Sequence, residues 1–189
     1  NGPTRLFVDG VQAVGRLVLS PSQWQGAAGY SVSAHKIHGP KGIGALIYDS
    51  KIDLIPQIHG GKQQSGVRSG TLAPPLILGF AHAIKLAVEQ VEETQSYLRK
   101  LRNRLIDGLR DLSARSPNLK IRFNSSIVDD PRLQSPAIVN FSFYPVEGEV
   151  VLHHLEEKDI YVGLGSACSA HSKQPSTILT GIGLSKEEA

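Results

Sequence analysis

The sequence contains no methionine, not even at position 1, and a single cysteine, Cys168. The missing initiator, and the opening Asn1-Gly2-Pro3-Thr4 set directly before an apolar run, read as the mark of a piece of a longer polypeptide. One cysteine excludes an internal disulfide and offers at most one thiolate to a metal, so any role for Cys168 is that of a thiol. Long apolar runs are also lacking, which leaves no candidate for a transmembrane helix, and nothing at the N-terminus has the charged, apolar and small-residue order of a signal peptide. The expected compartment is the cytoplasm, or the mitochondrial matrix if the source is eukaryotic. Lys plus Arg number 20 and Asp plus Glu 17, a surplus of only +3. That is too small to argue for nucleic acid, and nothing in the composition points to a membrane surface.

What is present is a chain of 189 residues, 40% apolar and 20% charged, with 19 Gly and 11 Pro. Such a composition belongs to a folded protein with one generous domain or two small ones. Leu6-Phe7-Val8 ends in Asp9-Gly10, Tyr30-Ser31-Val32-Ser33 runs into His35-Lys36, and Gly42 to Tyr48 forms a third apolar run. Three such runs predict successive strands of an α/β sheet, whose ligands gather beyond the carboxyl ends, where Asp9 and Lys36 stand.

From Leu76 the period becomes helical. Ile77, Ile84, Val91, Leu98, Leu105 and Leu112 recur every seven residues, with Phe80, Ala87 and Leu101 at the intermediate offset. The pattern predicts one long helix acting as a strut between two domains. Its cations Arg99, Lys100, Arg102 and Arg104 are interleaved with acids and have no aromatic stacking partners, so they read as a solvated helix face. Beyond it, Leu119–Phe123 and Ala137–Phe143 predict strands, Glu149–Lys158 a helix and Ile160–Val162 a further strand. The small-residue run from Gly163 to Ser172, which contains Cys168, predicts a loop. The expected organisation is 1–75 the end of a larger sheet domain, 76–113 the interdomain helix and 114–189 a small α/β domain.

The segment Ser33-Ala34-His35-Lys36-Ile37-His38-Gly39-Pro40-Lys41-Gly42 admits several chemistries. It fails as a Walker loop, because Lys41 is followed by Gly-Ile rather than by Ser or Thr. His35, His38 and His59 could open a metal site, but no completing acid or thiolate is evident, and no metal is assigned. A lysine at a strand end can instead condense with a carbonyl cofactor as a Schiff base. Pyridoxal phosphate needs such a lysine and an acid for its ring nitrogen, which Asp9 supplies 27 residues earlier.

Four stretches occur together and in order: Val8-Asp9-Gly10-Val11-Gln12-Ala13, then Ser33 to Gly44, then Ile58 to Thr71 with its Arg68-Ser69-Gly70-Thr71, then Gly165-Ser166-Ala167-Cys168-Ser169. This set resembles the cysteine desulfurases of the NifS and IscS type over nearly the whole chain. The resemblance implies the C-terminal part of a type I pyridoxal-phosphate aminotransferase fold. In it Lys36 would carry the cofactor, Asp9 would pair with its ring nitrogen, Gln12 would bond its phenolic oxygen, and Ser33 and His35 would hold its phosphate. It further implies that Thr71 reaches the phosphate of a neighbouring subunit in a homodimer, that Arg68 supports that loop, and that Cys168 accepts sulfur from L-cysteine for an iron-sulfur scaffold or a sulfur carrier, in cluster assembly or tRNA thiolation. The family's stacking histidine and substrate-carboxylate arginine would lie outside residues 1–189.

Each assignment keeps a local alternative. Cys168 also reads as a small buried hydrophobe, Arg68 and Thr71 as turn residues bonded by their own side chains, and Gln12 as a helix-surface amide. As a whole, the chain also reads as another type I enzyme, an aminotransferase or selenocysteine lyase, or as a non-catalytic desulfurase piece serving dimerisation or docking.

Overall fold

The computed structural model describes residues 4–19, 25–127, 134–164 and 176–185. It is an α/β protein that divides into two compact units, residues 1–97 and 98–189.

In the first unit, strands β1 (Leu6–Asp9), β2 (Ala27–Ser33) and β3 (Gly44–Tyr48) form a sheet in the order β1-β2-β3. β1 runs parallel to β2 with Asp9 opposite Ser31, and β2 pairs antiparallel with β3, Ser33 lying opposite Gly44. The expected strands are present. The third, however, returns antiparallel, because only the short turn from Ala34 to Ile43 separates it from β2, too few residues for a parallel crossover. β2 leaves the sheet through a 3₁₀ turn, Ala34–Ile37, closed by His38 in the left-handed region (φ 64°) with its N–H on the Ala34 carbonyl.

Helix α1 (Pro74–Glu89) begins with two prolines, whose fixed φ suits a first turn that needs no N–H partners. Its Phe80 and Ala83, with Ile84 and Ala87, pack against Val32, Ala34 and Ile37 and against Val14 and Ile43. This cluster seats the 3₁₀ turn. Gly39 stands where the turn meets the helix: a Cβ there would lie 3.0 Å from the Ala83 Cβ and 3.0 Å from the Ala34 carbonyl oxygen.

The single long helix expected over 76–113 is two helices. α1 ends at Glu89 and α2 spans Val91–Arg115. Gln90, at φ −104° and ψ 1°, leaves the helical region, although its N–H still reaches the Leu86 carbonyl and its own carbonyl takes the Thr94 N–H. The divide between the two units falls inside α2.

In the second unit the buried face of α2 is Arg102, Ile106 and Leu109, spaced four and three residues apart. Arg102 therefore does not belong to a solvated basic face. It is 4% exposed, and its guanidinium donates to the Ser126 carbonyl (3.0 Å) and to Asn103 Oδ1 (2.8 Å). Leu105 and Leu112 of the expected heptad stripe are exposed instead, because the face of α2 that is buried carries Arg102, Ile106 and Leu109, a different phase of the helix from the Leu98, Leu105 and Leu112 stripe. β4 (Lys120–Phe123) pairs antiparallel with β5 (Phe141–Tyr144), and the rings of Phe123, Phe141 and Phe143 pack edge to face or tilted along one side. α3 (Gly148–Glu156) and the short α4 (Thr177–Gly181), capped by Ser176 Oγ on the Leu179 N–H, follow.

The strand expected at Ile160–Val162 does not pair among the described residues. Asp159, with φ 57°, turns the chain so that the Ile160 N–H bonds back to the Leu155 carbonyl and closes α3. No described helix is long and apolar enough to cross a membrane.

Candidate functional site

The site begins where β1 and β2 end side by side. Parallel neighbours point their carboxyl ends the same way, so their last residues and the turns after them share one edge of the sheet. Asp9 is the last residue of β1. Its Oδ1 accepts the Val11 N–H at 3.0 Å and the Ser31 hydroxyl at 3.1 Å. Gly10 then packs close: its N–H donates to the Ser31 carbonyl at 3.0 Å, and a Cβ on it would lie 3.0 Å from that same oxygen. Asp-Gly is thus what lets the chain turn tightly here.

Two residues beyond Ser31, Ser33 ends β2, and its Oγ lies 3.0 Å from Nδ1 of the exposed His35. If the hydroxyl donates, Nε2–H remains free; if Nδ1–H donates, the hydroxyl proton remains free. Either tautomer leaves a donor for an external oxygen. Lys36 follows on the same 3₁₀ turn, half-buried. Its carbonyl accepts from Arg16 Nη2 at 3.2 Å, while its Nζ makes no ion pair or hydrogen bond among the described residues. Arg16 tethers this turn to the segment after β1. Val11 to Arg16 is a run of turns rather than a helix, and Gln12 is exposed on it.

Arg68 and Thr71 lie in a separate loop whose hydrogen bonds, among the described residues, join it to itself. Arg68 Nη1 donates to the Ser69 carbonyl (2.9 Å), Ser69 Oγ to the Gly61 carbonyl (2.7 Å), the Gly70 N–H to Gln63 Oε1 (3.1 Å) and the Ser69 N–H to the Ile58 carbonyl (3.4 Å). Gln64 and Ser65 both sit in the left-handed region, an arrangement rarely adopted by non-glycine residues. Thr71 itself is exposed. Cys168 lies outside the described residues, as does the loop expected around it from Gly165 onward.

The structure thus gathers Asp9, Ser33, His35 and Lys36 at the ends of β1 and β2 and adds two residues the sequence did not single out, Ser31 and Arg16. Their partners are 22 and 20 residues away, so no local motif marks them. His35, His38 and His59 do not assemble a metal set: no group of three or more His, Cys, Asp or Glu residues able to hold a metal occurs among the described residues.

The donor set is chemically suited to pyridoxal phosphate: a carboxylate with one oxygen still open for a cationic ring nitrogen, a hydroxyl–imidazole pair with a free donor for a phosphate, and an amine for a carbonyl.

Comparison with known proteins matches a family model described as aminotransferase class-V over residues 3–188. The cysteine desulfurase IscS of Klebsiella pneumoniae subsp. pneumoniae is 40% identical over 184 residues, which is 96% of this chain and 42% of that protein. A mitochondrial cysteine desulfurase of Arthroderma benhamiae is 39% identical over 183 residues, 96% of this chain and 34% of its own. Among solved structures, a NifS-like protein from Rickettsia africae superposes with a TM-score of 0.77 at 28% identity, covering 98% of this chain and 46% of that one. The chain spans between about a third and a half of the length of these relatives.

Proposed function

Since this chain belongs to the class-V aminotransferase family, with cysteine desulfurases as its relatives there, we propose that it works as part of a cysteine desulfurase, converting L-cysteine to L-alanine and leaving the sulfur on Cys168. The family is dependent on pyridoxal phosphate. The observation that carries the proposal is the convergence of the Asp9 carboxylate, the Ser33–His35 pair and Lys36 at the carboxyl ends of two neighbouring parallel strands.

In this reading, bound pyridoxal phosphate supplies an electron sink that makes the α-proton of an amino acid acidic. The residues do the rest. Asp9 holds a positive ring nitrogen through its open oxygen. Ser33 and His35 anchor the phosphate with whichever of O–H and N–H their mutual bond leaves free. Lys36 carries the cofactor at Nζ and, once released, moves the substrate's α-proton.

Cys168 Sγ attacks the substrate sulfur. The Cβ–S bond of the substrate breaks with its electron pair remaining on carbon, which takes a proton to become the alanine methyl. The new S–S bond leaves Cys168 as a persulfide, so thiol plus L-cysteine gives persulfide plus L-alanine with atoms and electrons balanced. An iron-sulfur scaffold or sulfur-carrier protein would take that sulfur, in the cytoplasm or, for a eukaryotic source, the mitochondrial matrix. A thiol suits the step because it ionises near pH ~8.5 in water, whereas a serine hydroxyl stays protonated and cannot hold a transferable sulfur.

The test is a persulfide-trapping mass spectrum of the natural protein after one turnover, with alanine formation measured in Cys168→Ser. We expect a mass gain of one sulfur on the Cys168 peptide. In the serine variant, alanine formation should fall by about a hundredfold or more while cofactor binding is retained. Undiminished alanine formation by the variant, or a persulfide on no peptide containing Cys168, would refute this role.

A further inference from the structure

Asp9 is held in an asymmetric way. Both of its donors, the Val11 N–H and the Ser31 hydroxyl, converge on Oδ1, and among the described residues nothing else donates to the carboxylate. The two come from different parts of the fold. Val11 fixes Asp9 from its own turn, whereas Ser31 reaches it from the neighbouring strand, where the two residues are register partners. Ser31 is itself immobilised, since it lies inside the β2 ladder between β1 and β3, opposite Leu46, and its carbonyl takes the Gly10 N–H. A carboxylate bonded by one donor can still swing about its χ angles; two donors on the same oxygen fix both the plane of the group and the direction of the other oxygen.

We propose that Ser31 is a positioning residue: with the Val11 N–H it grips Oδ1 of Asp9 so that Oδ2 is presented to the protonated ring nitrogen of a pyridine-type ligand. This rests on the reading of Asp9 given above. Ser31 acts only through that carboxylate, and so its effect disappears when the carboxylate is removed. The hydroxyl is the part that matters. A threonine keeps the donor and suits a strand, and a valine of the same shape lacks it.

The experiment uses the natural polypeptide that carries this sequence, stripped of cofactor and titrated with pyridoxal phosphate by absorbance. It compares wild type with Ser31→Thr, Ser31→Val, Ser31→Ala, Asp9→Asn and the double variant Ser31→Val/Asp9→Asn. Thermal unfolding of the cofactor-free proteins is followed alongside. Loss of a hydrogen bond to a charged group should weaken cofactor binding on the order of tenfold in Ser31→Val and Ser31→Ala, with Ser31→Thr within about twofold of wild type. Asp9→Asn should weaken binding at least as much, and adding Ser31→Val to it should cost nothing further.

The threonine and valine variants are isosteric, so a difference in binding between them at equal unfolding midpoints cannot come from packing. They also carry the comparison if Ser31→Ala does not fold. Equal binding by the threonine and valine variants, or an additive loss in the double variant, overturns the role of Ser31 while leaving that of Asp9 intact. Wild-type binding by Asp9→Asn overturns both.

Discussion

Lys36 owes its position to main-chain contacts, while its amine is left open. The turn that carries it is seated on the core through Ala34 and Ile37, and its carbonyl is tied to Arg16, yet Nζ is uncommitted among the described residues. Lys41 and Lys62, the other lysines in the two loop motifs, are both exposed, and neither is a residue of the 3₁₀ turn. We expect borohydride reduction of the natural holoprotein to fix the cofactor on the Lys36 peptide, and Lys36→Ala to abolish the adduct. A reduced adduct that peptide mass mapping assigns to Lys41 or Lys62 would contradict the assignment. Asp9 and Lys36 were legible because each follows an apolar run at a polar turn, a signal written in consecutive residues. Ser31 and Arg16 were not, since Ser31 is one polar residue in an alternating strand and Arg16 one cation in a turn, and only the strand pairing and the return of the chain bring them to their partners.

The elements themselves were legible in proportion to how local their causes are. β1 to β3 and α3 follow from runs of suitable residues, and they fall within a few positions of where the sequence puts them. The break at Gln90 has no proline or glycine to announce it, and the seven-residue repeat runs through it unbroken. The burial of Arg102 depends on its carbonyl partner at Ser126, 24 residues on. Strand direction is likewise a tertiary property: it was the length of the β2–β3 connection, not the composition of β3, that decided it.

Gly39 offers a test at this scale. The packing of α1 on the 3₁₀ turn requires the absence of a side chain there, because an added methyl would be squeezed between the Ala83 Cβ and the Ala34 backbone and Cβ, all at 3.0–3.1 Å. None of these is the free end of a flexible chain, so the helix or the turn must shift. Gly39→Ala should destabilise the protein by about 1–3 kcal/mol in urea or thermal unfolding. It should also loosen cofactor binding, because the displaced turn is the one bearing His35 and Lys36. Unchanged stability together with unchanged cofactor affinity would mean that the turn is not held by this contact.

Over the whole molecule, the residues expected to hold the cofactor, Asp9, Gln12, Ser33, His35, Lys36 and Thr71, and Arg68, expected to support the loop of Thr71, all belong to the first unit, and Cys168 belongs by sequence to the second. The family and its α/β class could be read from four ordered motifs because such motifs survive in sequence. The assembly in which they work is not written in any one of them. The loop from Ile58 to Thr71 bears on that question: Ser69 is buried and bonded within the loop, Arg68 braces its own neighbour, and Thr71 is left outside. A loop braced internally can present a side chain to a second molecule without support from the sheet, and we propose that Thr71 acts in this way on the neighbouring subunit of a homodimer.

Subunit mixing tests this. Thr71→Ala homodimers should bind cofactor several-fold more weakly through loss of a phosphate hydrogen bond, and Lys36→Ala homodimers should be inactive. After equal amounts are dissociated and re-associated at random, half the dimers are hybrids. In each, the subunit that keeps Lys36 receives an intact Thr71 from its partner, so the hybrids should supply about a quarter of wild-type alanine formation at limiting cofactor, on top of about a quarter of the Thr71→Ala level from the Thr71→Ala homodimers that re-form. If Thr71 served its own subunit, that same site would have Lys36 and no threonine, and the mixture would show only about half the Thr71→Ala level at equal total protein. Full cofactor affinity in the Thr71→Ala homodimer would remove Thr71 from the site altogether.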